Sequence, residues 1–589
     1  MNPAAHLTPE HLATAQRHLV AKAIAEFTHE RLLTPVPDAA SPGAWRLVTP
    51  GSEYRFRARV GTLEHWVIEE ETLERFVDGV RAPLDAQEFV IELQAVLGIP
   101  DHLLATYLEE IASTLASAAF KAHRGGPSAD ELAVADFQTI EGAMTEGHPG
   151  FVANNGRIGF GASEHAAFAP EAGRAFRLVW LAARRELSHL ALGAGLDEAT
   201  LLRGELGVEE RAHFASRLDD LGLDPADYRL LPVHPWQWEH RIAVTFAPDL
   251  ARRDLVLLGE GRDAYFAQQS VRTMFNRSRP ERSYVKTALA VQNMGFLRGL
   301  SPAYMRVTPA INDWVHDLVE RDATLRDAGF RVLREHASIG YTGDAYHRTA
   351  TPSAHRKMIA ALWRESPIPL IAPGERLATL ASLLHRDAVG RSVATALVRR
   401  SGLDAADWVR AVLRAYLRPV VHCLLAYDLA FMPHGENLIL VFDGAVPTGA
   451  FMKDIGEEVA LLADRAVPDE IRRIVSPVDD DEKALAIFTD VFDGVLRHLS
   501  GILHADGTLP ESVFWMLVAE AIDEHREQHP DLGSRVDLRA ETFAHSCLNR
   551  LQLRNTLQMV DLANQSASLL YAGELANPVA RSAALAFAG

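Results

Sequence analysis

Apolar residues in the first thirty positions recur every three or four places: Leu12, Ala15, Leu19, Ala23 and Phe27. That spacing marks one face of an amphipathic helix. Thr8-Pro9-Glu10 stand before it, a capping side chain followed by proline at the first helical position. After a proline-containing loop at 35–42 the period changes to two. Tyr54, Phe56, Ala58 and Val60 alternate as a half-buried strand. Helical spacing returns over 86–97 and 102–122, and KAHRGGPSADE at 121–131 reads as a surface connection. The middle of the chain mixes loops and strands up to a second break, HRTATPSAH at 347–355. The last third is mainly helical with one hairpin. LILVF at 438–442 and AVPTGAFMK at 445–453 flank the turn pair Asp443-Gly444. The pattern predicts a mixed α/β (α+β) fold in three parts, 1–140, 141–352 and 353–589.

Composition narrows the class. A chain of 589 residues exceeds a single core. The start, MNPAAHLTPEH, has no basic region followed by an apolar run, and the most apolar long stretch, 420–432, is short and broken by His422 and Asp428. Two cysteines, Cys423 and Cys547, fit a reducing compartment without disulfides. A cytoplasmic protein is expected. The net charge of −19, from 59 basic and 78 acidic residues, makes nucleic acid and anionic membrane poor partners. Such a protein can handle a polyanion only by gathering cations locally.

Two segments could do so. In QQSVRT, Gln268, Ser270 and Arg272 would share one face of a strand. YVKTALAVQ follows the RSRPERS turn, and a turn centred near Arg279 would set Arg272 opposite Lys286. Facing like charges destabilise a sheet, and a bound polyanion would remove the conflict. Arg298 lies twelve residues beyond Lys286. The functional reading is a triphosphate clamp; a solvated basic face fits the segment equally. In the second segment, His434-Gly435-Glu436-Asn437 opens the hairpin and Asp454 closes it. Glu436 or Asn437 would therefore meet Asp454, an oxygen set suited to Mg²⁺ and phosphate. His434 would contact phosphate there. A hydrogen-bonded hairpin base is the plainer reading.

Gly147-His148-Pro149 leads into a Gly-rich loop that brings Arg157 near His148, either for carboxylate recognition or as a rigid turn. HPWQWEH at 234–240 is either an aromatic seam or a ligand contact. The chain has no P-loop, no G-x-S-x-G elbow and no Cys/His spacing that fits a zinc site.

EGHP at 146, PVHPWQWE at 232, QQSVRT at 268, KTALAVQNMGFLRG at 286, HGEN at 434, KD at 453 and SCLNRLQLR at 546–554 together resemble the siderophore synthetases that work without a nonribosomal peptide template, the IucA/IucC family, and most of all its desferrioxamine branch. The resemblance spans essentially the whole chain. It implies a cupped hand of thumb, fingers and palm, usually dimeric, with the hairpin in a mainly helical palm. It implies an ATP set of Ser270, Arg272, Thr273, Lys286, Arg298, His434, Glu436, Asn437 and Asp454. Lys286, Arg298 and His434 would be catalytic, and Glu436, Asn437 and Asp454 would hold Mg²⁺. His148, Asn155, Arg157 and Arg554 would face the acyl substrate. Citrate-using members typically read GHPxHPxxKxRxGF. Here Phe151, Val152 and Asn155 replace the second His, its Pro and the Lys, which fits a longer monocarboxylate better than a tricarboxylate. Met432 stands where relatives place Glu, and Lys453 where they place Arg.

The expected activity is ATP-dependent adenylation of an N-hydroxy-N-succinyl-diamine, taken as the cadaverine derivative. Amide formation with a primary amine would follow, repeated and closed to a hydroxamate macrocycle of the desferrioxamine kind. Two other readings stand beside it: a kinase-like small-molecule phosphotransferase and a cytoplasmic ferric-siderophore binding protein.

Overall fold

The computed structural model describes residues 2–39, 41–532, 536–554 and 570–582. The first helix runs Pro9–His29, and the Thr8 hydroxyl accepts from the His11 amide at 3.3 Å as its cap. Ala15, Leu19, Ala23 and Phe27 are buried, whereas Leu12, the first of the expected stripe, is exposed. This helix packs on Asp101–Arg124 and on an antiparallel sheet built from 36–82, which contains the expected strand as Glu53–Gly61.

The middle of the molecule is an eight-stranded antiparallel sheet. Its order is Ser188–Leu192, Glu335–Tyr341, Ala360–Arg364, Tyr284–Thr287, Thr273–Asn276, Leu255–Ala267, Phe176–Arg184 and Tyr228–Val233. Trp180, Leu181, Val285, Ile339 and Trp363 fill its core. A second sheet of four strands, Phe330–Val332, Val446–Met452, Leu438–Asp443 and Glu375–Thr379, lies among the C-terminal helices; its first pair is parallel and the others antiparallel. Strand Phe330–Val332 joins the second sheet while Ala360–Arg364 joins the first. The chain thus weaves between the two sheets on both sides of residue 352, where a division was expected.

The 438–452 hairpin is present, with its loop shifted by one residue: Asp443 pairs with Val446, so Gly444 and Ala445 form the loop. Gly444 takes φ +59°, which glycine adopts at no steric cost. The expected QQSVR strand is a turn instead. The Gln268 amide donates to Thr273 O and the Val271 amide to Gln268 O, both at 2.8 Å, and the strand begins only at Thr273. Val271 sits at φ +66°, a conformation that β-branched residues rarely adopt and that costs about 1–3 kcal/mol. No described helix is long and apolar enough to cross a membrane. Cys423 and Cys547 are buried and unpaired.

Candidate active site

Ladder register decides how the two basic segments meet. Thr273, not Arg272, faces Lys286 across the strands, and the Arg272 carbonyl accepts from the Thr287 amide. The two cations nevertheless converge. Lys286 Nζ lies 2.7 Å from Glu457 Oε2 and 3.0 Å from Asp454 Oδ1; Arg272 Nη2 reaches the same Glu457 oxygen at 3.2 Å. Arg364, from the neighbouring strand, meets Asp454 Oδ1 at 3.1 Å. Carboxylates therefore resolve the like-charge conflict within the protein. Burial disfavours charge on Lys286, but Asp454 and Glu457 outweigh it and its pKa is raised. Against its own burial, Asp454 is held well below the usual carboxylate range by Lys286 and Arg364.

Above this network lies a cavity of about 340 Å³, lined by Ser270, Arg272, Lys286, Arg298, His434, Glu436, Asn437 and Asp454. The hairpin base does bring its polar residues together. The Lys453 amide donates to Asn437 O at 3.0 Å, which places Asp454 next to Asn437. Asp454 adopts φ +60° and caps the short helix Ile455–Glu458, which turns Glu457 and Glu458 back toward the site. The Asn437 amide nitrogen donates to Glu458 and, at 3.0 Å, to Met432 O. Burial, then the charge of Asp454, pushes Glu458 up to about 8.

Two residues that line the cavity carry unmatched donors. Ser270 Oγ and Arg298 Nε are buried with no hydrogen-bond partner among the described residues. Burial, then Arg272, lowers Arg298 to about 10. The Glu436 amide donates to His434 Nδ1 at 3.3 Å, so the neutral ring carries its proton on Nε2. His148 is fixed the same way, accepting from the Gly150 amide at 3.2 Å. The two rings lie 5.7 Å apart, centroid to centroid. Burial lowers both, so each offers an N–H donor without a net charge. His148, His434 and Glu436 also line a second cavity of about 270 Å³ with His18, Lys22, His65, His385 and His498. The histidine pair is thus the junction between two chambers.

Several expected residues lie elsewhere. Thr273 is buried in its strand, outside the lining of either cavity. On the acyl side only His148 and its neighbour Phe151 reach the larger cavity. Asn155 is buried, its amide donating to Thr145 O at 3.3 Å. Arg157 is buried against Glu171 at 3.5 Å and donates to Gly156 O, so its charge is used internally. Arg554 is exposed at the end of helix Leu548–Leu553, near Gly98. In HPWQW, His234 packs among Phe160, Phe168 and Phe176, and Gln237 joins Met358 O to the Ala290 amide, an interior seam. The sequence reading missed Arg364, Glu457, Glu458 and the cavity-lining Asp490. The acidic run after Asp454 was the available signal for the two glutamates. Arg364 had none, because its strand partner is eighty residues distant.

The IucA / IucC family model matches residues 136–385, and a model described as ferric iron reductase FhuF-like transporter matches 406–561. The chain is 46% identical over 584 residues to the putrebactin synthase of Shewanella sp. (strain MR-4), covering 98% of this chain and 92% of that one. Aerobactin synthetase IucC from a hypervirulent pathotype of Klebsiella pneumoniae superposes with a TM-score of 0.84 at 29% identity, covering 97% of this chain and 98% of that one. The ATP-bound aerobactin synthetase IucA from the same source shares the fold, with a TM-score of 0.73 at 18% identity, covering 96% and 99%. Likeness over nearly the full length of both chains, added to the QQSVRT and HGEN…KD segments that meet at one cavity, places this protein in the IucA/IucC family of siderophore synthetases that work without a nonribosomal peptide template.

Proposed function

We propose that the protein is an ATP-dependent ligase that joins a hydroxamate carboxylic acid to a primary amine through an acyl-adenylate. The observation that carries this reading is the single cavity in which Arg272, Lys286 and Arg298 meet two neutral imidazoles and an acidic wall. Arg272, Arg298 and Lys286 bind the triphosphate, with the Ser270 hydroxyl as a further donor. His434 donates from Nε2 to the α-phosphate, where charge grows as the substrate carboxylate attacks. That oxygen–phosphorus bond forms, pyrophosphate leaves, the amine then attacks the acyl carbon, and AMP leaves.

The acidic wall fits Mg²⁺. One oxygen of Asp454 carries Lys286 and Arg364, which leaves the other available, and the Glu436 carboxylate makes no hydrogen bond or ion pair among the described residues. Glu436, Asp454 and the Asn437 side-chain oxygen would hold the ion, which would neutralise phosphate charge there. The His148–His434 junction receives the acyl end, and Phe151 beside it favours an apolar chain over a tricarboxylate. We take the substrate to be an N-hydroxy-N-succinyl-diamine of cadaverine, oligomerised and closed to a macrocycle of the desferrioxamine kind by a cytoplasmic homodimer.

Incubation with ATP, Mg²⁺ and the five-carbon substrate should release AMP and pyrophosphate, and mass spectrometry should find amide oligomers. ADP as the sole nucleotide product would instead make the protein a phosphotransferase. Faster turnover of the four-carbon homologue would overturn the choice of diamine, and tight product binding without ATP turnover would make it a binding protein.

A further inference from the structure

Outside the active site, three histidines meet between two helices of the C-terminal part. His422 lies on Leu417–Tyr427, His525 lies on Glu511–Gln528, and His529 caps the end of the latter. Ring centroids are 5.2 Å apart for His422–His525, 4.8 Å for His422–His529 and 4.7 Å for His525–His529. One nitrogen of each ring lies within 4.8 Å of the others. His422 and His525 are buried, and His529 is partly open, which leaves a path to solvent.

The second observation is how His422 is held. Its Nε2 lies 3.0 Å from Asp322 Oδ2. That carboxylate is fixed in turn by the Tyr427 hydroxyl at 2.7 Å and the Leu325 amide at 2.8 Å. An ionised carboxylate only accepts, so the proton sits on Nε2 and the Nδ1 lone pair faces the other rings. This carboxylate–histidine arrangement is the one that orients metal-binding imidazoles. His422 Nδ1 is 2.9 Å from His525 Nε2. A tetrahedral ion with bonds of ~2.0–2.1 Å separates its nitrogens by about 3.3 Å, so the two rings need part by only a few tenths of an ångström. The His422–His525 contact is a hydrogen bond between the two rings, which an ion would replace, and His529 Nε2 meets the Thr324 hydroxyl at 3.4 Å.

We propose that His422, His525 and His529 form a site for a divalent transition ion of the zinc class, with Asp322 as outer partner and the fourth position open to water. Arg418, which donates to Gln528 at 2.6 Å, is the neighbouring positive charge, and Asp322 offsets it. The other triad of this kind, His29, Asp493 and His545, is a poorer candidate because Arg497 already occupies Asp493 at 2.9 Å. A bound ion would tie together the two helices, the first of which leads directly into the 429–437 segment carrying His434. His525 and His529 stand one helical turn apart in HREQH, but the third ligand is 103 residues from His525, so local spacing hides the site.

The test uses the full chain stripped with a chelator and titrated with ZnCl₂ by calorimetry, in parallel with Co²⁺ followed by visible absorption. Wild type should bind about one equivalent and develop tetrahedral Co²⁺ bands. Asp322→Asn should bind about ten- to a hundredfold more weakly. His529→Ala, a change at a partly open position, should lose the bands. X-ray absorption of the wild-type zinc form requires no variant to fold and should count three imidazoles. Fewer than three imidazoles, bands that survive His529→Ala, or uptake below about a tenth of an equivalent would overturn the proposal.

Discussion

Lys286→Met isolates the charge network beneath the cavity. Lys286 is buried, with Asp454 at 3.0 Å and Glu457 at 2.7 Å. Methionine retains much of the stem volume and removes the cation. Arg272 still holds Glu457 and Arg364 still holds Asp454, yet two buried carboxylates then share two guanidiniums with no ammonium between them. Breaking a buried pair from one side costs about 3–5 kcal/mol. At about 2.1 cal/mol/K per residue, 589 residues give an unfolding entropy of about 1.2 kcal/mol/K, so a chain unfolding as one unit would lose about 2–4 °C in Tm. The double variant Lys286→Met, Glu457→Gln removes one charge of each sign and should recover at least about 1 kcal/mol of that loss. Activity should not return with stability. Pyrophosphate release should stay at least about a hundredfold down in both proteins, because the phosphate contact is gone in both. Differential scanning fluorimetry and a coupled pyrophosphate assay read the two quantities separately. A single variant within 1 °C of wild type would refute the network's energetic role, and a double variant that regains turnover would refute Lys286 as a phosphate ligand.

Three further outcomes follow from the same geometry. Arg157→Met should lower Tm by removing the guanidinium beside Glu171, which keeps His165 and the Ser117 hydroxyl, with the KM for the acyl substrate unchanged, while Arg554→Ala should leave kcat/KM within about twofold, since its exposed side chain lies outside the described cavity lining; a large KM rise in either would return that residue to the substrate site. Asp490 lines the cavity, and burial pushes its pKa up to about 7, so its stabilising neutral form is complete below the ordinary aspartate range and is lost as pH rises through 7. The Tm advantage of Asp490→Asn over wild type should therefore grow from pH 5 to pH 8, and a constant difference would refute the shift. His434→Ala should lower kcat by about a hundred- to a thousandfold; because burial lowers the ring's pKa below its ordinary value, the wild-type rate should show no limb from this group above pH 6.5, a point that a pH–rate profile of both proteins decides.

The readable features of this chain were those with a local cause. The Thr8 cap marked the start of the first helix and four of the five stripe positions are buried, and the glycine beside Asp443 placed a hairpin within one residue of its true loop. His434, Glu436, Asn437 and Asp454 were recoverable because a hairpin necessarily joins its two ends. The QQSVR segment failed as a strand for a different reason: Val271 is held at φ +66° by tertiary packing, and propensity assigns a β-branched residue the opposite backbone.

What neutralises Arg272 and Lys286 was not legible in the sequence. Two cations close together on adjacent strands fitted a bound polyanion or a solvated basic face equally, and neither reading included the carboxylates that arrive just beyond the 438–452 hairpin. Glu457 follows Asp454 by three residues on a helix of a single turn, and it bonds to Lys286 171 residues away in sequence. With Glu457 and Asp454 present, the pair is stable with no ligand, so the charge conflict cannot itself be evidence of nucleotide. Beside them, the Ser270 hydroxyl and Arg298 Nε are buried without partners among the described residues, while Arg298 Nη2 donates to Asn293 Oδ1 at 2.7 Å. Leaving a buried donor unpaired costs about 1–3 kcal/mol, and a site retains such donors when a ligand completes them. The nucleotide reading therefore rests on the cavity as a whole rather than on the Arg272–Lys286 conflict, and Arg298→Met should weaken ATP binding with a smaller loss of Tm than Lys286→Met produces.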